Sequence, residues 1–247
     1  MSSYNPWHGC HKISAGCQNC FIYSMDKQFN RDSTIVTKTK NFDLPMRQTA
    51  HQKYRLKSEE GIVYTCLSSD FFIEEADQWR QEVWKMIHER SDLVFFIITK
   101  RIDRFMVSLP ADWGDGYDNV IITSTVENQR CLEYRLPILL ELPIKHRQLN
   151  CEPLLEGLDL RKYLSSGKIE HISVGGESGY KARVCDFDWV LDIRQQCLEN
   201  NTSFAFRQTG ACFRKDGKIY HIDKKLQHVQ AKKSHLDFLA GGYDEKK

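Results

Sequence analysis

Residues 93–101, LVFFIITKR, are the stretch of sequence that decides the fold. Six apolar residues, β-branched and aromatic among them, run without a break and end in Thr99, Lys100 and Arg101. A continuous apolar run of this length is typical of a strand buried on both faces of a parallel sheet. Ligands of such folds bind beyond the carboxyl ends of the strands. The three polar residues that end the run are therefore candidates for a binding site.

The same pattern recurs along the chain. Five other short runs, residues 62–67, 120–123, 147–151, 171–174 and 203–206, also end in polar or ionisable residues. Apolar residues at helical spacing predict crossover helices over residues 74–88 and 188–199, the second capped by Asp186 or Asp188. Strand–helix alternation predicts an α/β fold, a full or partial (β/α) barrel, with an open doubly wound sheet as the alternative. We expect the six polar strand ends to converge on one face.

Composition sets limits on the class of protein. The chain has 247 residues, 41% of them apolar, and a net charge of +2, which leaves nucleic-acid binding open without indicating it. It has no apolar run long enough for a membrane span and no signal peptide, so we expect a cytoplasmic protein. The barrel-like domain is predicted over residues 1–214. A C-terminal extension, residues 215–247, holds a turn at 215–217, a basic helix at 224–236 and a frayed tail, GGYDEKK.

Three of the nine cysteines fall within eleven residues, as Cys10, Cys17 and Cys20. Thiolates bind soft metals, and a two-residue gap lets two sulfurs of one turn reach the same metal or cluster. A structural zinc site closes with four ligands, whereas three cysteines on a 4Fe–4S cluster leave one iron open. Gly9 and Gly16 each precede a cysteine and let the backbone come close to a cluster.

Other uses of the cysteines stay open. His8 and His11 lie close enough in sequence to complete a zinc site with the three thiolates, and a segment without any metal is the third possibility. The six other cysteines are scattered singly, which favours small buried apolar residues. Among these, Cys151 at a strand end is the candidate for a chemical role.

The cysteine segment also carries a resemblance to known proteins. It reads YNPWHGC over residues 4–10 and GCQNCF over residues 16–21. Together with six further matches, given below, this segment makes the chain resemble a phage-associated three-Cys-motif family of unknown function. More distantly, the chain resembles the radical S-adenosylmethionine superfamily. The first gap between cysteines is six residues here and three in that superfamily. The further matches are SDF at 69–71, TKR at 99–101, STVE at 124–127, CEPLL at 151–155, GGESG at 175–179 and RQTG at 207–210.

The resemblance implies a 4Fe–4S cluster that binds S-adenosylmethionine through its open iron and, once reduced, generates a 5′-deoxyadenosyl radical. Glu177, following Gly175 and Gly176, would hold the amino group of the cofactor, and Arg101 or Arg183 would hold its carboxylate. The remaining cofactor-binding candidates are Ser124, Glu127 and Asn128 for the ribose, Lys100 for an anionic group, and Gln208. The catalytic candidates are Cys151 as a hydrogen-atom donor, Glu152 and Asp70.

Two alternative functions remain open. One is a zinc-dependent hydrolase or nuclease that uses Asp70, Glu152 and Glu177 as ligands or bases. The other is a non-catalytic iron–sulfur binding module. The radical enzyme would need a reductant, and the resemblance suggests a three-Cys-motif partner protein. The phage association suggests nucleic acid or a nucleotide as substrate.

Overall fold

The computed structural model describes residues 2–241, and the chain forms two compact units. The first unit comprises Met1–Lys12, Ile22–Ser124 and Glu141–His146. The second comprises Ile13–Phe21, Thr125–Leu140 and Arg147–Lys247. The predicted boundary at residue 214 therefore falls inside the second unit. The last six residues of the predicted frayed tail lie outside the described residues.

All six predicted strands are present, and the prediction of a mixed α/β fold built on a parallel sheet is confirmed. The main sheet has seven strands in the order β1-β4-β5-β6-β7-β8-β10, with a three-stranded sheet, β12-β11-β9, and a two-stranded pair, β2-β3. The strands are β1 Ser2–Tyr4, β2 Trp7–His8, β3 Thr37–Lys38, β4 Ile62–Thr65, β5 Val94–Thr99, β6 Val120–Thr125, β7 His146–Cys151, β8 His171–Gly175, β9 Cys185–Asp186, β10 Ser203–Gln208, β11 Cys212–Lys215 and β12 Lys218–His221. The helices are α1 Phe21–Gln28, α2 Asp77–Glu89, α3 Gln129–Glu141, α4 Arg161–Leu164, α5 Phe187–Glu199 and α6 Lys224–Lys233.

In the first unit, β1, β4, β5 and β6 pair in parallel, and α2 contributes Val83, Trp84 and Ile87, which are fully buried, to the core. The Trp84 ring packs edge-on against Phe71, 4.7 Å between ring centroids. Full burial of side chains this large stabilises the fold by about 1.5–3 kcal/mol each. This core fixes the carboxyl ends of β4 and β5, where the predicted polar residues stand.

In the second unit, β7, β8 and β10 pair in parallel, and α5 buries Val190 and Ile193. Asp186 caps α5, as predicted, because its side chain accepts the backbone N–H of Asp188. The predicted turn at 215–217 joins β11 to β12, and Asp216 and Gly217 take the positive φ angles of 51° and 73° that a tight hairpin needs.

The C-terminal segment of the second unit packs on β10. The backbone N–H of Phe204 donates to the carbonyl of Phe238 at 2.9 Å, and the return bond is 3.0 Å. α6 ends at Lys233, short of the predicted 236. None of the helices within residues 2–241 combines the length and the apolar character needed to cross a membrane.

Candidate functional site

The carboxyl ends of β4 and β5 meet in the first unit around the buried carboxylate of Asp70. One carboxylate oxygen accepts the hydroxyl of Thr99 at 2.7 Å and the N–H of Phe72 at 3.0 Å. The other accepts the backbone N–H of Lys100 at 2.9 Å. The Asp70 side chain is only 6% exposed, so these bonds compensate its loss of water. The predicted meeting of polar strand ends is thus observed here.

Arg101 links this network to Cys10. Its Nη1 lies 3.3 Å from the Asp70 carboxylate and donates to the Cys10 sulfur at 3.5 Å, while its Nη2 donates to the carbonyl of His11 at 2.9 Å. Burial lowers the pKa of Arg101, but Asp70 and Cys10 raise it more, and the net pKa lies above its usual value. A buried guanidinium that stays charged stabilises a thiolate at Cys10.

The two histidines that flank Cys10 are each bonded to a carboxylate. His8 Nε2 lies 2.8 Å from Asp26, and His11 Nε2 lies 2.5 Å from Glu75. Burial raises the pKa of Asp26, but its bonds to Ser33 and His8 lower it more, so the net shift is downward. In both pairs Nε2 of the ring is the nitrogen that contacts the carboxylate.

The two other cysteines of the motif belong to the second unit. Cys17 ends a short 3-10 turn, Ala15–Cys17, and Cys20 directly precedes α1. The backbone N–H of Cys20 donates to the carbonyl of Cys17 at 3.3 Å, so the two lie one turn apart. The Cys17 sulfur lies 3.8 Å from the hydroxyl of Ser14, and both cysteines are partly exposed.

Glu127, which follows β6, holds the cysteine loop. Its side chain is fully buried and pairs with Arg135 at 2.7 Å, and its other carboxylate oxygen accepts the backbone N–H of Gly16 at 3.0 Å. A Cβ at position 16 would lie 3.0 Å from that carboxylate, so a larger residue there would require the Glu127 side chain to shift by a few tenths of an ångström. With its carboxylate engaged in this way, Glu127 braces the loop, and the ribose contact predicted for it stays a prediction.

Glu177, which follows β8, holds the same loop from another side. Its carboxylate accepts two N–H groups of the Arg183 guanidinium, at 2.5 and 3.0 Å, and the side-chain amide of Asn19 at 2.9 Å. Arg183 in turn donates to the carbonyl of Ala15 at 3.0 Å. Burial raises the pKa of Glu177, but Arg183 and Asn19 lower it more, so its pKa lies below the usual range. Nothing in the sequence pattern pointed to Asn19.

The ends of β7, β8 and β10 also meet in the second unit. A Cβ built on Gly175 would lie 2.9 Å from the Glu152 carboxylate and 3.0 Å from Gln208, so both side chains approach this backbone closely. Gln208 donates to the carbonyl of Gly176 at 3.0 Å and accepts from Ser178 at 3.1 Å. Glu152, Gly175, Gly176 and Gln208, all predicted site residues, are thus brought together.

The remaining candidates have other surroundings. Asn128 caps α3, accepting the backbone N–H of Cys131 at 2.8 Å, which is a structural use of its side chain. Ser124 at the end of β6 is fully buried, and its hydroxyl has no hydrogen-bond partner within residues 2–241. Lys100 is half-buried. Cys151 is fully buried, and burial raises the pKa of its thiol well above the usual value, so it is a neutral thiol.

Burial separates the cysteines of the motif from most of the others. Cys66, Cys151, Cys185 and Cys197 are buried, and burial raises the pKa of Cys185 and of Cys197 to about 12. Cys10, Cys17, Cys20, Cys131 and Cys212 are partly exposed. Within residues 2–241, no group of three or more His, Cys, Asp or Glu side chains is arranged to hold a metal ion.

Comparison with known proteins identifies one family. A search of curated proteins and a search of solved structures each found no match. The model of a family described as "Protein of unknown function (DUF5131)" matches residues 1–241, nearly the whole chain. The protein therefore belongs to the DUF5131 family.

Proposed function

We propose that this protein is an iron–sulfur enzyme of the radical S-adenosylmethionine type, with a 4Fe–4S cluster on Cys10, Cys17 and Cys20. The observation that carries the proposal is the grouping of three partly exposed cysteines at ligand spacing, with no fourth cysteine in the segment. The chemistry of the donor set fits such a cluster, because thiolates are its usual ligands and three of them leave one iron open.

The surroundings of each cysteine support the proposal. Arg101 places a buried positive charge 3.5 Å from the Cys10 sulfur, which favours the deprotonated form that binds iron. Hydrogen bonds to sulfur ligands also tune the potential of a cluster. In the second unit, Glu127 and Glu177 brace residues 15–19 and so fix the backbone that carries Cys17 and Cys20.

S-adenosylmethionine is the proposed cofactor, with a one-electron reductant as partner. When bound, the cluster and the cofactor would supply the radical chemistry, while the protein supplies binding, orientation and exclusion of water. Ser124 offers a buried hydroxyl without a partner in the described chain for a polar group of the ligand. In the second unit, the space beside Gly175 and Gly176 is filled by Glu152, Gln208 and the carbonyl of Thr209. A substrate of nucleic-acid or nucleotide type rests on the resemblance to phage-associated proteins.

The test is anaerobic reconstitution with iron and sulfide, followed by incubation with dithionite and S-adenosylmethionine. We expect a brown protein with absorbance near 400 nm, about four irons per chain and release of 5′-deoxyadenosine. The matched control is Cys17→Ala, which keeps the rest of the site. If the reconstituted protein holds the cluster but yields no 5′-deoxyadenosine, the protein is an iron–sulfur module without radical chemistry.

A zinc-dependent hydrolase is the second candidate, and one observation favours it. His8 and His11 each have one ring nitrogen bonded to a carboxylate, the arrangement that orients zinc-binding histidines. Against it, Asp70 and Glu177, the predicted bases, are engaged with Arg101 and Arg183. Metal analysis of protein purified without added metal separates the candidates, because a colourless protein with one zinc per chain would exclude the cluster.

A further inference from the structure

One stretch of the second unit carries a strong excess of positive charge. Residues 203–235 contain eight Lys or Arg and two Asp, a net charge of +6. The rest of the chain, with 27 basic and 31 acidic residues, carries a net charge of −4. The near-neutral total of +2 therefore conceals a separation of charge. A basic stretch in an otherwise acidic chain is the electrostatic signature of a polyanionic partner.

Most of the charge of this stretch lies on the β11–β12 hairpin and on α6. Every residue of β12 is exposed. α6 turns only Gln227 and Ala231 inward, so its lysines lie on the outer surface. The helix is fixed beside the end of β10, because His228 Nδ1 lies 2.7 Å from the carbonyl of Arg207 and the carbonyl of Gln227 accepts the N–H of Thr209 at 3.3 Å.

Seven of these eight cations form no ion pair within the described chain. Of the eight cations, Arg214 pairs with Asp186 at 2.5 Å. The other seven make no ion pair with any residue between 2 and 241; they are Arg207, Lys215, Lys218, Lys224, Lys225, Lys232 and Lys233. Their charge is therefore available to neutralise the phosphates of a partner.

Apolar side chains are exposed among these lysines. On β12, Tyr220 is 46% exposed and shares its strand face with Lys218. On α6, Val229 is 45% exposed and lies between Lys225 and Lys232 on the outward face. An exposed aromatic ring among cations is a platform on which an unpaired base stacks, whereas the bases of a duplex are already stacked.

We propose that the surface formed by the β11–β12 hairpin and α6 binds single-stranded nucleic acid. The lysines contact the phosphates, and Tyr220 stacks on a base. The binding is largely independent of sequence, because cations and an aromatic face do not distinguish between bases. The inference goes beyond the proposed function and does not depend on it, because the surface includes none of the three motif cysteines.

Fluorescence anisotropy with a labelled single strand of about 20 nucleotides, over a range of salt concentrations, tests the proposal. Lys225→Glu/Lys232→Glu should weaken binding at least tenfold. The slope of log Kd against log salt concentration should also decrease by about 1.4, because each lost phosphate contact on a single strand lowers it by about 0.7. Tyr220→Ala should weaken binding roughly tenfold and leave the salt dependence unchanged. The milder Lys225→Gln/Lys232→Gln pair guards against a fold defect, and thermal melting checks each variant.

The matched control is Lys40→Glu/Lys85→Glu, the same change of charge on exposed lysines of the first unit. It should bind as the wild type does. The proposal is overturned if this control loses as much affinity as the α6 pair, if the wild type does not bind, or if a duplex binds as tightly as the single strand. It is also overturned if anionic phosphatidylserine vesicles are bound and the oligonucleotide is not. Binding by a Cys10→Ala/Cys17→Ala/Cys20→Ala variant that equals the wild type confirms that the surface is independent of the cluster.

Discussion

At the scale of single residues, the strand-end carboxylates have structural roles, because hydrogen bonds within the protein hold each of them. Asp70, Glu127 and Glu177 are buried, and each accepts hydrogen bonds from at least two groups. A buried carboxylate without partners costs several kcal/mol, so these bonds are what allow the acids to lie there. Two of the three acids hold the cysteine loop, which gives them a positioning role toward Cys17 and Cys20.

The first prediction concerns the cysteines. Cys10→Ala, Cys17→Ala and Cys20→Ala should each lose most of the iron after reconstitution, because three thiolates are the fewest that hold the proposed cluster. Iron and sulfide content, with absorbance near 400 nm, measure the loss. Cys131→Ala is the matched control, since Cys131 is also partly exposed but lies far from the motif in sequence. Full iron content in the Cys17→Ala variant would refute the assignment.

The second prediction concerns the pH dependence of stability through Glu177. Its pKa in the folded state is lowered, so its stabilising effect is complete above the unfolded pKa of about 4.3 and is lost as pH falls through the folded pKa. Glu177→Gln should be less stable than the wild type at neutral pH by about 1.5–3 kcal/mol, the usual contribution of a charge-assisted hydrogen bond. The difference should shrink in acid. Denaturant unfolding at neutral and acidic pH measures it, and a constant difference would contradict the role of the charge.

The same variant separates bracing from cofactor binding. If Glu177 holds the amino group of S-adenosylmethionine, Glu177→Gln should bind the cofactor roughly ten- to a hundredfold more weakly while keeping its iron. If it only braces residues 15–19, cofactor affinity measured by calorimetry on the iron-loaded protein is unchanged and only stability falls. Arg183→Gln is the companion variant, since it removes the same ion pair and leaves the carboxylate in place.

At the scale of elements, periodicity predicted the main strands well and the short ones not at all. All six predicted runs are strands of the main sheet. The expected burial on both faces holds only in part, because β5 alternates between fully buried and partly exposed residues. The sequence did not reveal β1, Ser2–Tyr4, or β9, Cys185–Asp186. Their few residues carry no pattern, and they are strands only because a neighbour pairs with them.

The sequence predicted which strand ends carry site residues, but not which side chains bond to one another. Strand topology alone predicts that residues after parallel strands lie at one edge. Two pairs of such residues meet, Asp70 with Thr99 and Glu152 with Gln208, and the convergence of all six strand ends stays a prediction. The bonds of Glu127 to Gly16 and of Glu177 to Asn19 join residues 111 and 158 positions apart. Partners so distant depend on the folded chain, which no local pattern encodes.

The third prediction tests the start of α5. Asp186→Ala should destabilise the protein by about 1 kcal/mol, because the cap on the N–H of Asp188 is lost. Asp186→Asn keeps an oxygen for the cap and removes only the pair with Arg214, whose exposed end makes that pair worth little. Urea unfolding should therefore place the Asn variant close to the wild type. Equal destabilisation by the Asn and Ala substitutions would mean that the ion pair with Arg214, and not the cap, stabilises this region.

At the scale of the whole molecule, the chain forms two units, and the predicted boundary at residue 214 lies within the second. The second unit is assembled from three separate segments, and residues 215–241 are part of it. Gln227 and Ala231 of α6 are almost fully buried, and Phe238 pairs with β10. A segment with buried side chains and paired backbone contributes to the core of its unit.

The last prediction follows from this assembly. Truncation after Arg214 should destabilise the second unit strongly, because β10 would lose its pairing with Phe238 and the side chain of Arg194 would lose the carbonyl of Leu236, which it contacts at 2.8 Å. An unpaired strand edge is also a site for aggregation. We expect a lower melting temperature and less protein in the soluble fraction. Truncation after Gly241, which keeps every described residue, is the matched control. If truncation after Arg214 left the melting temperature unchanged, residues 215–247 would be a separable extension, as the sequence predicted.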